Sequence, residues 1–247
     1  MSKSLNDLYD YVPLKIYQND NYFKFSLDSV LLAEFVKKPE LKKDIIELCA
    51  GNCAVSMILS TKCNSKITAI ELQPEIFELG LESIKYNNLE DQINLINCDV
   101  KKIKKYFPGN NCDVVICNPP YFCKSDSSYV NDDSVKAIAR HEIAITLEEL
   151  IMISSKLLKL NGELYIVHRA ERIDDIIENC IKYDVRVKNV QFITTKNNFE
   201  PRLVLIRAIR GSKQGIKVLP ELCIENLKTF KNIFWKEWVY ESYCWFR

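Results

Sequence analysis

Asn118-Pro119-Pro120-Tyr121 follows the apolar run Asp113 to Cys117 and puts an amide, two prolines and a phenol ring in consecutive positions. Proline fixes φ and removes a backbone donor, so this turn offers acceptors: the amide of Asn118 and the carbonyl of Pro119 can point to one place. Tyr121 adds an aromatic face. A planar group bearing an NH2 fits, its two hydrogens held by the two acceptors while its ring stacks on the tyrosine. A proline-rich surface turn is the competing reading.

A second constellation lies upstream. Glu47-Leu48-Cys49-Ala50-Gly51-Asn52-Cys53 contains small residues that let a backbone turn sharply and approach a ligand, and Glu47 would suit a cationic group. Glu71 stands 20 residues beyond Gly51, the spacing at which an acid accepts hydrogen bonds from ribose hydroxyls. Asp99, in Asn97-Cys98-Asp99, could accept from the exocyclic amine of an adenine. Each acid alone also reads as a cap at a strand end. Together they point to a nucleoside-containing cofactor.

These residues must be positioned by an alternating chain. Apolar runs at Asp44 to Leu48, Lys66 to Ile70, Ile93 to Asn97 and Asp113 to Cys117 read as strands. Helical sequence at Val55 to Thr61 and Pro74 to Asn87 separates the first three. A polar loop from Phe122 to Asp133 leads to a helix over Thr146 to Leu160, which Asn161-Gly162 ends before a strand at Glu163 to His168. After a helix around Arg172 to Lys182, Val187 to Thr195 and Arg202 to Ile209 are joined closely enough to form an antiparallel pair. The expectation is a doubly wound, mostly parallel α/β sheet with an antiparallel strand near its edge, and with ligands bound beyond the strand ends where the strand order reverses.

The chain has 247 residues, 47% hydrophobic and 27% charged, with 34 basic and 33 acidic side chains. That composition excludes disorder, and a net charge of +1 excludes a surface that binds polyanions everywhere. Local basic patches are Lys37, Lys38, Lys42 and Lys43; Lys101, Lys102, Lys104 and Lys105; and Arg202, Arg207, Arg210, Lys213 and Lys217. No apolar stretch approaches the roughly 18 residues that span a bilayer, and Met1 to Asp10 is too polar for a signal peptide, so a cytoplasmic protein without membrane contact is expected. Ten cysteines include no C-x-x-C pair and have only His141 and His168 as partners, which reads as buried thiols and no metal. A single domain over 1–247 is expected, with a cover segment at 1–27, a core at 28–225 and an aromatic helix or tail at 226–247.

The ordered set of Glu47 to Cys53, Glu71, Asp99 and Asn118 to Tyr121 resembles Rossmann-like class I S-adenosylmethionine methyltransferases acting on exocyclic nitrogens. Phe25-Ser-Leu-Asp-Ser-Val-Leu-Leu-Ala33, Ile70-Glu-Leu-Gln73, Ala137-Ile-Ala-Arg-His-Glu-Ile143, Ser154-Ser-Lys-Leu-Leu-Lys159, Val167-His-Arg169 and Arg207 to Pro220 are similar, more narrowly, to the bacterial tRNA-valine adenine-37 N6-methyltransferase family. The resemblance implies a seven-stranded sheet and S-adenosyl-L-methionine as cofactor. Glu47, Cys49, Gly51 and Cys53 would face its methionine part, Glu71 its ribose and Asp99 its adenine. Asn118, Pro119, Pro120 and Tyr121 would act on the base of a tRNA substrate. Asp28, Arg140 and His141, within the matching motifs, would contact substrate more loosely. Two departures stand out: glycine is usual where Cys53 stands, which implies a displaced loop, and the tail Phe230 to Arg247 matches nothing in the family.

The chemistry that this implies needs no general base before transfer. Two acceptors on the amine hydrogens favour the developing ammonium, and alignment of nitrogen, methyl carbon and sulfur supplies the rest. Three alternatives use the same residues: a release-factor glutamine N5-methyltransferase, an rRNA guanine N2-methyltransferase, and an inactive methyltransferase-fold protein that binds RNA.

Overall fold

The amino-terminal residues fold into a hairpin, β1 (Lys3–Tyr9) paired antiparallel with β2 (Val12–Asn19). These residues form a separate two-stranded sheet, and α1 (Leu27–Phe35) follows them. A computed structural model describes residues 3–9, 12–22, 24–37, 43–108, 112–120, 145–197 and 199–226. The hairpin lies on α3 (Pro74–Tyr86): the backbone amides of Lys15 and Tyr17 donate to Asn87 Oδ1 and Ser83 Oγ, each at 2.9 Å.

The main sheet begins with β3 (Ile45–Leu48), whose four residues are all buried, as expected of a central parallel strand covered on both faces. From β3 the chain passes through α2 (Ala54–Ser60) to β4 (Ile67–Glu71), then through α3 to β5 (Ile93–Asn97) at the edge. A lysine-rich 3-10 turn, Val100–Lys105, then leads back to β6 (Cys112–Cys117), which pairs with the other side of β3. The strand order therefore reverses between β3 and β6.

Beyond β6 come α4 (Leu147–Leu157), β7 (Leu158–Arg169), α5 (Ile173–Lys182), β8 (Val185–Thr194) and β9 (Leu203–Arg210). β9 is inserted antiparallel between β7 and β8, the expected edge arrangement. Two features depart from expectation. Among the described residues the sheet has the expected seven strands, β3 to β9, and two short additions, β10 (Lys217–Val218) and β11 (Leu222–Cys223), each adding two residues parallel to β8. Helix α4 ends at Leu157 rather than Leu160, so Asn161-Gly162 caps nothing; Asn161, at φ 64°, instead shapes an irregularity inside β7, where Cys112 pairs with Leu158 but Val114 with Glu163.

Each face of the sheet carries its own core. One gathers Leu27, Leu32, Val55, Met57 and Ile58 from α1 and α2 with Leu8 and Ile16 of the hairpin. The other gathers Leu150, Ile151 and Leu157 of α4 with Ile176 and Cys180 of α5. A capping box, with Thr146 Oγ1 accepting from the Glu149 amide and Glu149 Oε2 from the Thr146 amide, starts α4.

Candidate active site

Leu48 pairs with Cys117 at the ends of β3 and β6, so the Cys49–Cys53 turn and Asn118 leave the sheet side by side at the point of reversal. One strand further along, Leu48 pairs with Ile70, which brings Glu71 to the same rim. The two constellations found in the sequence thus share one edge of the sheet.

The turn after β3 is built from left-handed backbone: φ is 56° at Cys49, 57° at Gly51 and 68° at Cys53. Such angles cost an L-residue roughly 1–2 kcal/mol and a glycine almost nothing. Cys53 thus takes the left-handed conformation that glycine adopts without strain. Its fully buried side chain lies over Gly80 of α3, where an added Cβ would sit 3.5 Å from Cys53 Sγ and 2.7 Å from Leu95 Cδ2. The steric limit at Gly80 is the Leu95 side chain of β5, since the loop atoms would stand at ordinary contact distance.

Glu71 organises this turn. One carboxylate oxygen accepts from the Gly51 amide at 2.8 Å and the other from the Gln73 amide, also at 2.8 Å, at the cap of α3. Burial at 4% exposure raises its pKa, and these two amides oppose the rise. Asn97 Nδ2 secures the same corner by donating to the carbonyls of Glu71 and Leu72 at 2.9 and 3.0 Å. Asp99 accepts from the Lys101 amide at 2.9 Å and so caps the 3-10 turn, the ordinary role foreseen for a strand-end acid. It also lines a narrow cavity with Cys49, Ile70, Glu71, Val100 and Pro120.

Glu47 is sealed beneath the turn at 2% exposure, where Oε2 accepts from the Ser56 amide at 3.0 Å and from the Ser56 hydroxyl. Burial pushes its pKa up to about 8, against the pull of the Ser56 bonds. The thiols of Cys53 and Cys117 are likewise pushed up by burial, which keeps them protonated and inert. Among the described residues, no cluster of His, Cys, Asp and Glu has the arrangement of a metal site, and no helix is long and apolar enough to cross a membrane.

Asn118, Pro119 and Pro120 follow β6 into the rim, and Asn118 Nδ2 donates to Ser29 Oγ of α1 at 3.1 Å. Asp28, the neighbour of Ser29, is buried at 8% exposure. Tyr121, Arg140 and His141 lie outside the described residues. Ser29, Asn52 and Gln73, which fall within the motifs but carried no assigned role, support the site together with Ser56, which lies outside them. Asn52 Nδ2 reaches the Tyr17 carbonyl of the hairpin at 3.3 Å, a contact that no local pattern announces.

The basic patches fare differently. Arg207 is bound by both oxygens of Glu163, at 2.9 and 2.6 Å, and Arg210 donates to the Leu158 carbonyl, so these two are occupied within the sheet. Lys101, Lys102, Lys104 and Lys105 are exposed on the 3-10 turn after Asp99, with Lys101 Nζ 3.5 Å from Glu149. Lys101, Lys104 and Lys156 border a second cavity of about 280 Å³ floored by Phe107 and Met152.

Comparison with known proteins gives concordant results. A family model described as the TRM5/TYW2 methyltransferase domain matches residues 24–162. Curated proteins named tRNA1(Val) (adenine(37)-N6)-methyltransferase are similar along most of the chain. That of Phocaeicola vulgatus is 22% identical over 81% of this chain and 83% of its own. That of Shewanella woodyi is 24% identical over 81% and 84%, and that of Flavobacterium psychrophilum 20% identical over 94% and 96%. Among solved structures, a predicted O-methyltransferase from Agrobacterium tumefaciens superposes with a TM-score of 0.64 at 19% identity, covering 87% of this chain and 96% of its own. M. jannaschii TYW2 in complex with AdoMet gives 0.56 at 13%, covering 84% of each chain.

Proposed function

The chain belongs to the TRM5/TYW2 methyltransferase domain family, and from that membership we propose that it transfers a methyl group from S-adenosyl-L-methionine to N6 of an adenine in tRNA. Adenine 37 of a valine tRNA is the target that the names of its curated relatives favour. One observation carries the reading: Asn118-Pro119-Pro120 emerges beside the Glu71-anchored turn at the reversal of strand order.

The residues present fit the cofactor. Glu71 stands at the rim with its carboxylate oriented by the Gly51 and Gln73 amides, a placement that suits an acceptor of ribose hydroxyls. The left-handed turn from Cys49 to Cys53 brings backbone close to a ligand, and Asp99 and Cys49 line the cavity next to Glu71. A cationic amine above Glu47 would draw its proton off and hold the carboxylate ionised. Bound there, the cofactor supplies an electrophilic methyl carbon.

The protein's own task is orientation. Asn118 and the Pro119 carbonyl accept the two hydrogens of the target amine, which favours the nitrogen lone pair over its delocalisation into the ring, and Tyr121 stacks on the base. Holding the reactants in line contributes on the order of 7 kcal/mol without a general base. A base in an anticodon loop reaches such a pocket at less cost than a paired one. Four exposed lysines on the turn that Asp99 caps support an electrostatic approach of the RNA backbone.

The test is methyl transfer from labelled S-adenosylmethionine to unmodified valine tRNA with adenine or guanine at position 37, followed by nucleoside mass spectrometry. N6-methyladenosine from the adenine substrate alone supports the full reading. A methylated guanine, or label in a release factor and in no RNA, overturns it.

A further inference from the structure

We propose that the cavity between the lysine-rich 3-10 turn and α4 is a second RNA site, which takes one nucleotide of the substrate loop near the target: its base on Phe107 and Met152, its phosphates on Lys101, Lys104 and Lys156. The inference rests on the reading of the substrate as RNA and goes beyond it. It gives the RNA a base-binding contact outside the reaction centre, and it divides the four lysines of the turn into Lys101 and Lys104, which border a cavity, and Lys102 and Lys105, which do not.

The cavity joins two surfaces that a single-stranded nucleotide needs at once. Its floor is apolar: Ile103 and Leu157 are buried in the core, while Phe107 and Met152 are half-buried and pack against that core from outside. Every base has a π-face that can stack on an aromatic ring or lie against a polarisable thioether. Its rim is cationic, since among the described lining residues three lysines stand against one carboxylate, Glu149. That carboxylate is already engaged, accepting from the Thr146 amide at 2.9 Å and lying 3.5 Å from Lys101 Nζ. Lys104 and Lys156 are exposed and make no ion pair among the described residues. An uncharged apolar segment laid on this floor would strip water from the lysines and replace it with nothing. A nucleotide brings base and phosphate together.

The position of the cavity favours the RNA that reaches Asn118. Val100 and Ile145 line the narrow cavity beside Glu71, and Lys101 and Glu149 line this one, so the two hollows adjoin across the contact of the turn with the start of α4. Consecutive residues of one turn thus face the cofactor side and the RNA side. The volume of about 280 Å³ stands near the lower end of small-ligand pockets, roughly 300 Å³, and suits one nucleotide rather than a docked helix.

The experiment measures binding and methylation of an unmodified valine-tRNA anticodon stem-loop by the whole protein. Lys104→Ala with Lys156→Ala should raise Kd for the RNA about tenfold at about 0.1 M salt and reduce the log–log salt slope by about 1 to 2. Maximal rate at saturating RNA and affinity for S-adenosylhomocysteine should stay within about twofold of wild type, because neither lysine touches the reaction centre. Lys102→Ala with Lys105→Ala, which removes the same charge from the same region, should change Kd by no more than about twofold. Phe107→Leu, which keeps an apolar floor and removes the aromatic face, should weaken RNA binding roughly five- to tenfold, the scale of one stacked base. An abasic site set in turn at each non-target position of the loop should cost the wild type a similar factor at one position, and should cost Phe107→Leu little more there. Equal losses from the two lysine pairs, a silent Phe107→Leu, or losses that add at every abasic position overturn the cavity as an RNA site and leave it to another occupant. An RNA that the cofactor-bound wild type neither binds nor methylates overturns the reading of the substrate, and this inference with it. If Phe107→Leu does not fold, Met152→Glu, which sets a negative charge on the floor, provides the same comparison.

Discussion

The carboxylate of Glu71 and the backbone amide of Gly51 meet at 2.8 Å, joining the end of one strand to the turn after its neighbour. The acid proposed to hold ribose is therefore also the brace of the loop beside it. Glu71→Ala should weaken cofactor affinity at least tenfold and lower stability by about 1–3 kcal/mol, since two part-buried amides lose their acceptor. Glu71→Gln, which keeps one carbonyl oxygen, should fall between. Calorimetric titration with S-adenosylhomocysteine and urea denaturation check both effects.

Glu47 should show opposite signs in two assays. Its folded pKa, raised to about 8 from 4.5 by burial, means that the folded state prefers the protonated acid. The stability this lends is fully present below pH 4.5 and is lost as pH rises through 4.5 to about 8. Glu47→Gln retains an acceptor for Ser56 and removes the titration, so the free variant should be more stable than wild type at pH 8 and should bind cofactor less tightly. Thermal melts at pH 6 and 8 with and without ligand test this; a Gln variant weaker in both assays at pH 8 would sink it.

His168 acts in the other direction. It is 3% exposed, and burial, then the nearby Arg172 charge, lower its pKa to about 4 from 6.5, while Nδ1 accepts from the Arg169 amide at 2.9 Å. A base depressed on folding contributes stability that is complete above pH 6.5 and lost as pH falls toward 4, about 3 kcal/mol in all. Urea midpoints of His168→Gln should lack that part of the slope between pH 6.5 and 4.

The left-handed turn makes a prediction about side-chain shape. Cys53→Gly relieves roughly 1 kcal/mol of backbone strain and forfeits the packing of one buried thiol, so its melting temperature should stay within a few degrees of wild type. Cys53→Val puts a branched side chain at φ 68° against Gly80 and should cost about 2 kcal/mol or more. Denaturation curves of equal slope would separate the two.

Where burial followed a clean period, the sequence was read correctly. Ile45 to Leu48, Ile67 to Glu71 and Cys112 to Cys117 are strands because mainly apolar runs suit a sheet covered on both faces. The point of reversal, and the acids and prolines around it, followed from that order. The hairpin escaped notice because the face that buries Ile16 also buries the polar Gln18, while Leu5 stays exposed, so no alternation shows. Asn161-Gly162 misled for a local reason: residues that tolerate left-handed backbone serve a helix end and a strand irregularity equally well. Ser29 carries no signal in an apolar helix until its partner, 89 residues on, is in place.

The hairpin sets a schedule for the newborn chain. Lys15 and Tyr17 are synthesised first, yet the groups that dock them, on Asn87 and Ser83, follow 72 and 66 residues later. The hairpin can close on itself at once, through pairs such as Leu5 with Tyr17, but its docking must wait until α3 has been made.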